Sequence, residues 1–138
     1  MINARQFSEL IRSYGSFSHK KLQKLSYYVY SLYLKRYGEK IADVYFEAWV
    51  HGPVSPEIYQ MYKNYGWECI PQYNGNICVN DIVYMRISNI VKEYIRYSAD
   101  ELEEMTHREE PWKQARIGCS KYESSRNLIE DEQILSYY

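Results

Sequence analysis

The side chains that could do chemistry in this chain are its histidines and cysteines, and their spacing favours no particular reaction. They are His19, His51, His107, Cys69, Cys78 and Cys119. No HExxH, HxH or CxxC motif is present, although such short spacings are what bring two ligands to one metal ion. The sequence therefore predicts no metal site. A cluster formed in space by His51, Cys69 and Cys78 stays open as an alternative.

Nucleophilic and phosphate chemistry have as little support. A Cys–His pair could form in any fold with three of each, but no local motif marks one. Six scattered glycines form no GxGxxG or GxxxxGK[ST] loop. The acidic run at residues 100–110 suits the capped first turn of a helix better than acid–base catalysis. We therefore predict no catalytic residue and no cofactor. The alternative is a small enzyme that uses His51, Cys69 or His107.

Length and cysteine use define the class of protein. A chain of 138 residues predicts one domain over residues 1–138. The first residues lack the apolar core of a signal peptide, and no apolar run approaches the ~20 residues of a membrane span. An odd number of cysteines without CxxC spacing is typical of a reducing compartment. We expect a cytoplasmic protein with no membrane partner.

Charge is uneven along the chain although the formal net charge is only −1. Residues 19–40 are basic and residues 100–110 are acidic, and such runs often pair with each other as helix faces. The basic side chains that could contact phosphates are Lys20, Lys21, Lys24 and Arg36. Helix-turn-helix spacing is not evident and the chain is not basic overall, which argues against nucleic acid as a partner.

Hydrophobic periodicity predicts a mainly helical α+β fold, a compact bundle of about six helices with a small β-hairpin or short antiparallel β element. Helices are expected at residues 4–14, 18–38, 56–65, 80–94 and 98–108 and in the tail from residue 131, and Pro111 restarts the chain so that Trp112 folds back onto the core. Residues 44–50 alternate as a short strand. Asn74-Gly75 is the strongest short hairpin signal in the chain.

Residues 47–56, which we call the corner, join that strand to the third helix with almost no linker. Gly52 permits a positive φ, and Ser55 with Pro56 is typical of a helix start. A rigid surface with aromatic side chains loses little entropy on docking, which favours protein binding. The alternative is that Trp49 and Trp112 are core residues and that Gly-Pro is merely a turn. The candidate partner-binding residues are Lys21, Lys24, His51, Tyr59 and Tyr62.

Seventeen tyrosines are an unusual number for this length. A tyrosine buries a large ring but keeps a hydroxyl that needs a partner, so it suits half-buried positions and interfaces. Two interpretations stay open, a tyrosine-rich core and a tyrosine-rich binding surface, and in either case some of the set must be exposed.

Three segments resemble one known family in their order along the chain. They are KLQKLSYYVYSLYL (residues 21–34), FEAWVHGPVSPEIYQMY (residues 46–62) and LEEMTHREEPWKQAR (residues 102–116). Together they resemble the Panacea domain family of SocA-like antitoxins, which includes phage-associated GepA-like proteins. The resemblance covers residues 5–138, essentially the entire chain.

The resemblance implies a non-enzymatic antitoxin of a type II toxin–antitoxin pair. Such a protein neutralises a cognate toxin, commonly an inhibitor of translation, by direct protein–protein binding. One branch of the family is similar to proteolytic adaptors that deliver the toxin to the ClpXP protease, and the sequence does not separate the two roles. A nucleic-acid-binding phage-associated regulator is the remaining alternative. A homo-oligomer is left open.

The residues that match the family motifs are Lys21, Leu22, Gln23, Lys24 and Leu25 in the first segment, Ala48, Trp49, Gly52, Pro53 and Val54 in the second, and Thr106, His107, Pro111 and Trp112 in the third. Motif residues of this kind mostly report the fold, and the resemblance implies no catalytic role for them. The family usually has a tyrosine where this chain has His51, a departure that bears on partner choice.

Overall fold

One long central helix organises the chain, and the other elements surround it. The structure is a computed structural model that describes residues 1–138. The helices are α1 (Ala4–Arg12), α2 (His19–Tyr37), α3 (Pro56–Tyr62), α4 (Asp81–Tyr94), α5 (Ala99–Arg108), α6 (Glu110–Ala115) and α7 (Asp131–Tyr137), a 3-10 turn follows α3 at Lys63–Tyr65, and the strands are β1 (Glu47–Trp49) and β2 (Gly52–Val54). This arrangement confirms the mainly helical fold with a small antiparallel β element.

The central helix α2 begins and ends where its sequence predicts. The Ser18 side chain accepts a hydrogen bond from the Lys21 amide, and Gly38 ends the helix with a φ of 68°. The helix is buried on every side from Leu22 to Leu34, because α1, α3, α4, α5, α7 and β2 all pack on it. The periodicity predicts a single buried stripe, so the polar side chains of α2 are more enclosed than expected.

The caps of the other helices also follow the sequence. Asn3 with Gln6 and Ser98 with Glu101 each form a reciprocal capping box. Asn80 caps α4 through the Val83 amide. These local hydrogen bonds need no tertiary contact, which explains why the sequence predicts them.

The hairpin lies at the corner and not at Asn74-Gly75, so that prediction is wrong. Strands β1 and β2 pair antiparallel, with Glu47 opposite Val54 and a two-residue turn at Val50-His51. Residues 71–76 are mostly exposed and form no strand. The Tyr73 amide instead donates to the carbonyl of Arg12 at the end of α1. The Ile70 amide likewise donates to the Phe17 carbonyl, so the backbone before the Asn-Gly turn bonds to the chain around α1 and is not available for a ladder across that turn.

The predicted strand at residues 44–50 is shorter in the structure, although its alternation is real. Val44, Phe46 and Ala48 are buried while Tyr45 is exposed. Only residues 47–49 pair with β2, and on its other side β1 contacts residues 127–129, where the Ala48 amide donates to the Asn127 carbonyl. The corner is thus enclosed between two chain segments.

The tyrosines are divided between the core and the surface. The buried members are Tyr27, Tyr28, Tyr30, Tyr33 and Tyr62, and the exposed members include Tyr45, Tyr65, Tyr84, Tyr122 and Tyr137. The half-buried Glu109 carboxylate accepts hydrogen bonds from the hydroxyls of Tyr28 (2.8 Å) and Tyr138 (2.6 Å), and burial raises the pKa of Glu109. This contact fixes the end of α7 against the core.

No helix in the chain combines the length and the apolar character that crossing a membrane requires.

Candidate functional site

The three segments that carry the family resemblance meet in space at the corner. Helix α2 supplies the first segment, β1 and β2 with α3 supply the second, and α5 with α6 supply the third. Contacts between α2 and β2, between α5 and β2 and between α2 and α5 bring them together. The corner is therefore held from two sides by helices distant in sequence.

Gln23 fixes the corner to α2 through a pair of hydrogen bonds. The Ser55 amide donates to Gln23 Oε1 at 2.9 Å, and Gln23 Nε2 donates to the Ser55 carbonyl at 3.1 Å. Gln23 is 2% exposed, so both bonds lie away from water. A primary amide is suited to this position, because it accepts and donates at one end of a side chain.

Lys24 is the second contact, and it is a buried lysine. Its side chain is 2% exposed, and Nζ donates to the Pro53 carbonyl at 3.1 Å. Burial, assisted by the charge of Lys20 and opposed by that of Glu103, lowers the pKa of Lys24 to about 7. Burying the charged ammonium group is unfavourable, and its hydrogen bond to the corner offsets part of that free energy.

Gly52 is required by both backbone and space. Its φ is 110°, which side chains rarely permit. A Cβ at this position would lie 2.7 Å from Lys24 Cε and 3.1 Å from Thr106 Oγ1. Because Lys24 and Thr106 are themselves buried, neither could easily move aside. Position 52 therefore has to be a glycine, because a side chain there would separate the corner from Lys24 and from Thr106 of α5.

The third segment holds β1 from the opposite side. Trp112 Nε1 donates to the Trp49 carbonyl at 2.9 Å, and Arg116 Nη1 donates to the Ala48 carbonyl at 3.0 Å. The Trp112 ring stacks on His107, with 3.9 Å between the ring centroids. The sequence interpretation does not select Arg116, although its guanidinium is a buried donor at the corner.

Glu103 is a second residue that the sequence interpretation does not select. Its Oε1 lies 2.9 Å from Lys20 Nζ, with which it forms an ion pair, and 3.3 Å from His51 Nδ1, and neither contact is an aligned hydrogen bond. Lys20 also lies 2.7 Å from Asp100. These pairs confirm that the basic and acidic runs meet each other. Burial lowers the pKa of the neighbouring His107, against the opposing effect of Glu103.

The exposed side of the corner opens onto three grooves that share one residue. His51 stands at the tip of the turn with 77% of its side chain exposed. Cavities of about 290, 450 and 490 Å³ each include His51 in their lining. The rigid part of the corner thus presents His51 where all three grooves meet.

The cavity of about 490 Å³ is lined by four aromatic rings, and we call it the aromatic groove. Its rings are those of His19, Trp49, Tyr59 and Trp67. Trp67 is 97% exposed. Burial, with a smaller effect of the Lys24 charge, lowers the pKa of His19 to about 4. Its ring is therefore uncharged at neutral pH, and the groove lining also includes Lys20 and Lys24.

The five candidate partner-binding residues are not equally available. His51 and Tyr59 line the aromatic groove. Lys21 is half-buried, and its Nζ donates to the Ile95 carbonyl at the end of α4. The side chains of Lys24 and Tyr62 are both buried, although Lys24 is part of the groove lining. Helix α2 is enclosed on all sides, and the Tyr62 hydroxyl bonds Ser8 beneath α3.

The remaining motif residues occupy the core. Leu22, Leu25, Ala48, Val54 and Pro111 are all buried. Trp49 and Trp112 are partly buried and Trp112 packs against the core, which matches the expected fold-back of Trp112. Packing alone accounts for the aliphatic members of the motifs.

The side chains considered for metal binding and for phosphate contact are not arranged for either role. No group of three or more His, Cys, Asp or Glu side chains is arranged to hold a metal ion. Cys69 is exposed after α3 and lines none of the three grooves around His51. Of the basic side chains proposed for phosphate contact, Lys24 is buried and Arg36 pairs with Glu93 at 2.9 Å.

Comparison with known proteins identifies the family of this chain. The family described as "Antitoxin SocA-like, Panacea domain" matches residues 22–113, which is more than half of the chain and includes the corner with its contacts from Gln23, Lys24 and Trp112. No curated protein and no solved structure matches the chain. The chain therefore belongs to the SocA-like antitoxin family that carries the Panacea domain.

Proposed function

We propose that this protein is the antitoxin of a type II toxin–antitoxin pair and that it neutralises its toxin by binding it directly. It carries out no catalysis of its own. The toxin class that the resemblance implies is an inhibitor of translation. The corner and the grooves around His51 form the surface that covers the toxin.

The observation that carries this proposal is the contrast between the two sides of the corner. On the inner side, Gln23, Lys24 and Trp112 hold the backbone with hydrogen bonds of 2.9 to 3.1 Å. On the outer side, the turn exposes His51 beside Trp67, which is 97% exposed. The internal contacts keep the backbone of the corner fixed while His51 faces outward at its tip, and Trp67, which lies outside the corner, lines the same groove.

This arrangement suits protein recognition on energetic grounds. A surface whose backbone is already ordered loses little further entropy when a partner docks. Tryptophan and tyrosine are enriched among the residues that dominate binding energy at interfaces. An exposed tryptophan in an otherwise well-packed domain costs solvation free energy, which a partner would recover by covering it.

Co-expression tests the proposal. The gene next to the one for this chain is expressed alone and together with it, and growth is recorded. We expect growth arrest with the neighbour alone, rescue by this chain, and one co-eluting complex of the two purified proteins on size exclusion. A toxic neighbour that this chain neither rescues nor binds would contradict the proposal.

The half-life of the toxin separates neutralisation from delivery to a protease. If the chain acts by covering the toxin, the toxin half-life stays equal or becomes longer when the chain is present. If the chain is an adaptor, the toxin half-life shortens, and the effect disappears in a strain that lacks the ClpXP protease. We expect the first result, because the proposal is that binding alone neutralises the toxin.

A further inference from the structure

We propose that the cavity of about 450 Å³ beside the corner is an anion site that receives an acidic side chain of the toxin. We call it the basic cavity. It lies between the tip of the corner, α5, α6 and residues 119–122, and His51 joins it to the aromatic groove. The identity of the partner rests on the proposed function. Three observations carry the anion site itself: the charges of the lining, the burial of Arg116, and an unpaired nitrogen of His107.

The lining of the basic cavity contains three permanent cations and one carboxylate. The cations are Lys113, Arg116 and Lys121, and the carboxylate is that of Glu103. Glu103 already forms an ion pair with Lys20, which lies outside the lining. The positive charge of the lining is therefore not balanced from within, and a negatively charged group is its complement.

Arg116 is the buried cation of the three. It is 6% exposed, and its hydrogen bonds go to the backbone carbonyls of Ala48, Ser120 and Glu123. These carbonyls carry no net charge, so they do not neutralise the guanidinium. A guanidinium also has more N–H donors than these bonds use, and a carboxylate can pair with it in a planar, two-point arrangement.

The two lysines of the lining are exposed and weakly engaged. Lys113 lies 3.3 Å from Glu110 in an ion pair between half-exposed side chains, which contributes little free energy. Lys121 forms no ion pair, and its Nζ lies 5.3 Å from the centre of the Tyr122 ring. Both amines are therefore available to an anion that enters from solvent.

His107 adds a polar atom that lacks a partner. Its Nε2 is buried without a hydrogen bond, and the residue lines the basic cavity. The charged and titratable groups that face it are Glu103, Lys24, His51 and Arg116, and burial lowers its pKa. A bound carboxylate would accept a hydrogen bond from the form with a proton on Nε2 and would raise the pKa of His107.

The position and size of the basic cavity favour a side chain of the partner over a free ion. It shares His51 with the aromatic groove, and its lining includes Tyr122, which is 78% exposed. Exposed tyrosines of this kind are enriched at protein interfaces. The volume of about 450 Å³ is many times that of a small ion, since one water molecule occupies about 30 Å³ in the liquid. The cavity therefore has room for the whole side chain of a glutamate or aspartate.

Titration of the intact chain with a glutamate peptide at low salt tests this proposal. The probe is acetyl-Gly-Glu-Gly-amide, and the readout is the ring C–H resonances of the three histidines by NMR. We expect those of His51 and His107 to shift and the pKa of His107 to rise. His19 should shift least, because it lies outside this cavity. The comparison ligands are the same peptide with glutamine or lysine in place of glutamate, and inorganic phosphate.

Two exposed lysines provide matched variants. Lys121→Gln removes a charge from the lining and should weaken glutamate-peptide binding about threefold, as expected for loss of one exposed ion pair. Lys63→Gln removes the same charge from the 3-10 turn after α3, outside the lining, and should leave binding unchanged. Thermal unfolding of both variants should match the parent chain.

Several results would overturn the proposal. They are no response to the glutamate peptide, an equal response to the glutamine or lysine peptide, and binding that is unchanged in Lys121→Gln or equally weakened in both variants. Tighter binding of inorganic phosphate than of the glutamate peptide would overturn the assignment to a side chain of the toxin.

The peptide assay separates this proposal from the antitoxin role. It contains no toxin, so its failure leaves the co-expression result standing. If co-expression fails while the glutamate peptide binds, the anion site holds and the antitoxin role does not.

Discussion

At the scale of single residues, Lys24 is the side chain whose burial is least favourable, because its amine loses contact with water and gains a tertiary hydrogen bond. Burial lowers its pKa to about 7, which means that folding destabilises the charged form of the amine relative to the neutral form. What the protein gains is a donor at the Pro53 carbonyl. The charged groups that face it are Glu103 and Lys20, which form an ion pair with each other.

The pH dependence of stability should reveal this lysine. Unfolding restores an ordinary lysine pKa, so between pH 7 and pH 10 the unfolded chain binds more protons at Lys24 than the folded chain does. Stability from this group therefore rises with pH, by at most about 1.4 kcal/mol per pH unit. We expect the free energy of unfolding, measured in urea, to rise with pH relative to that of Lys24→Met. Parallel pH profiles for the two proteins would show that Lys24 titrates normally.

Gly52 allows a matched comparison of two causes of strain. Gly52→Ala should lose about 1–3 kcal/mol, because the new Cβ adds a steric clash to an unfavourable positive φ. Gly118 has a φ of 91° with nothing within 4 Å of an added Cβ. The loss in the free energy of unfolding of Gly118→Ala should therefore come from the positive φ alone. Denaturant midpoints measure both. Equal losses in the two variants would mean that the approach of Lys24 to the corner is unimportant.

At the scale of elements, the hairpin depends on helices that lie far away in sequence. Two strands of three residues are too short to be stable alone. Helix α2 holds β2 through Pro53, and α6 with the residue after it holds β1 through Trp49 and Ala48. Element positions in this part of the fold are therefore set by tertiary hydrogen bonds.

Trp112→Phe tests one of these tertiary bonds. Phenylalanine keeps most of the ring but removes the N–H that the Trp49 carbonyl accepts, so we expect a loss of about 1 kcal/mol in the free energy of unfolding. Trp67→Phe is the control, because Trp67 is 97% exposed and its stability effect should lie within about 0.5 kcal/mol of zero. If both variants unfold like the parent chain, the bond does not stabilise the corner.

The difference between local and tertiary hydrogen bonds explains which elements could be predicted from the sequence. Helix starts at Asn3, Ser18 and Ser98 depend on hydrogen bonds three residues away, so the sequence is sufficient. The hairpin prediction at Asn74-Gly75 fails because a turn signal does not report that the residues before it, Ile70 and Tyr73, bond to the chain around α1. The true hairpin at Val50-His51 has no strong local turn signal and depends on partners up to 68 residues away.

At the scale of the whole molecule, burial decided which candidate residues could meet a partner. Lys24 and Tyr62 have side-chain types that are common on surfaces, but α2 and α3 place them inside. Trp67 is exposed, although a tryptophan is ordinarily expected to be largely buried. No spacing rule indicates its exposure. The binding face therefore follows from the packing of α2 in the centre, which a sequence pattern does not determine.

The most direct test of the account is the affinity of the purified chain for the product of the neighbouring gene, measured by calorimetry. The double substitution Trp67→Ala with His51→Ala removes the two most exposed side chains shown for the aromatic groove. Ile82→Ala with Met85→Ala is the matched control, because these side chains are 61% and 57% exposed on α4. We expect at least tenfold weaker binding for the first variant, unchanged binding for the second, and unchanged melting temperatures. Unchanged affinity in the first variant, or an equal loss in both, would contradict it.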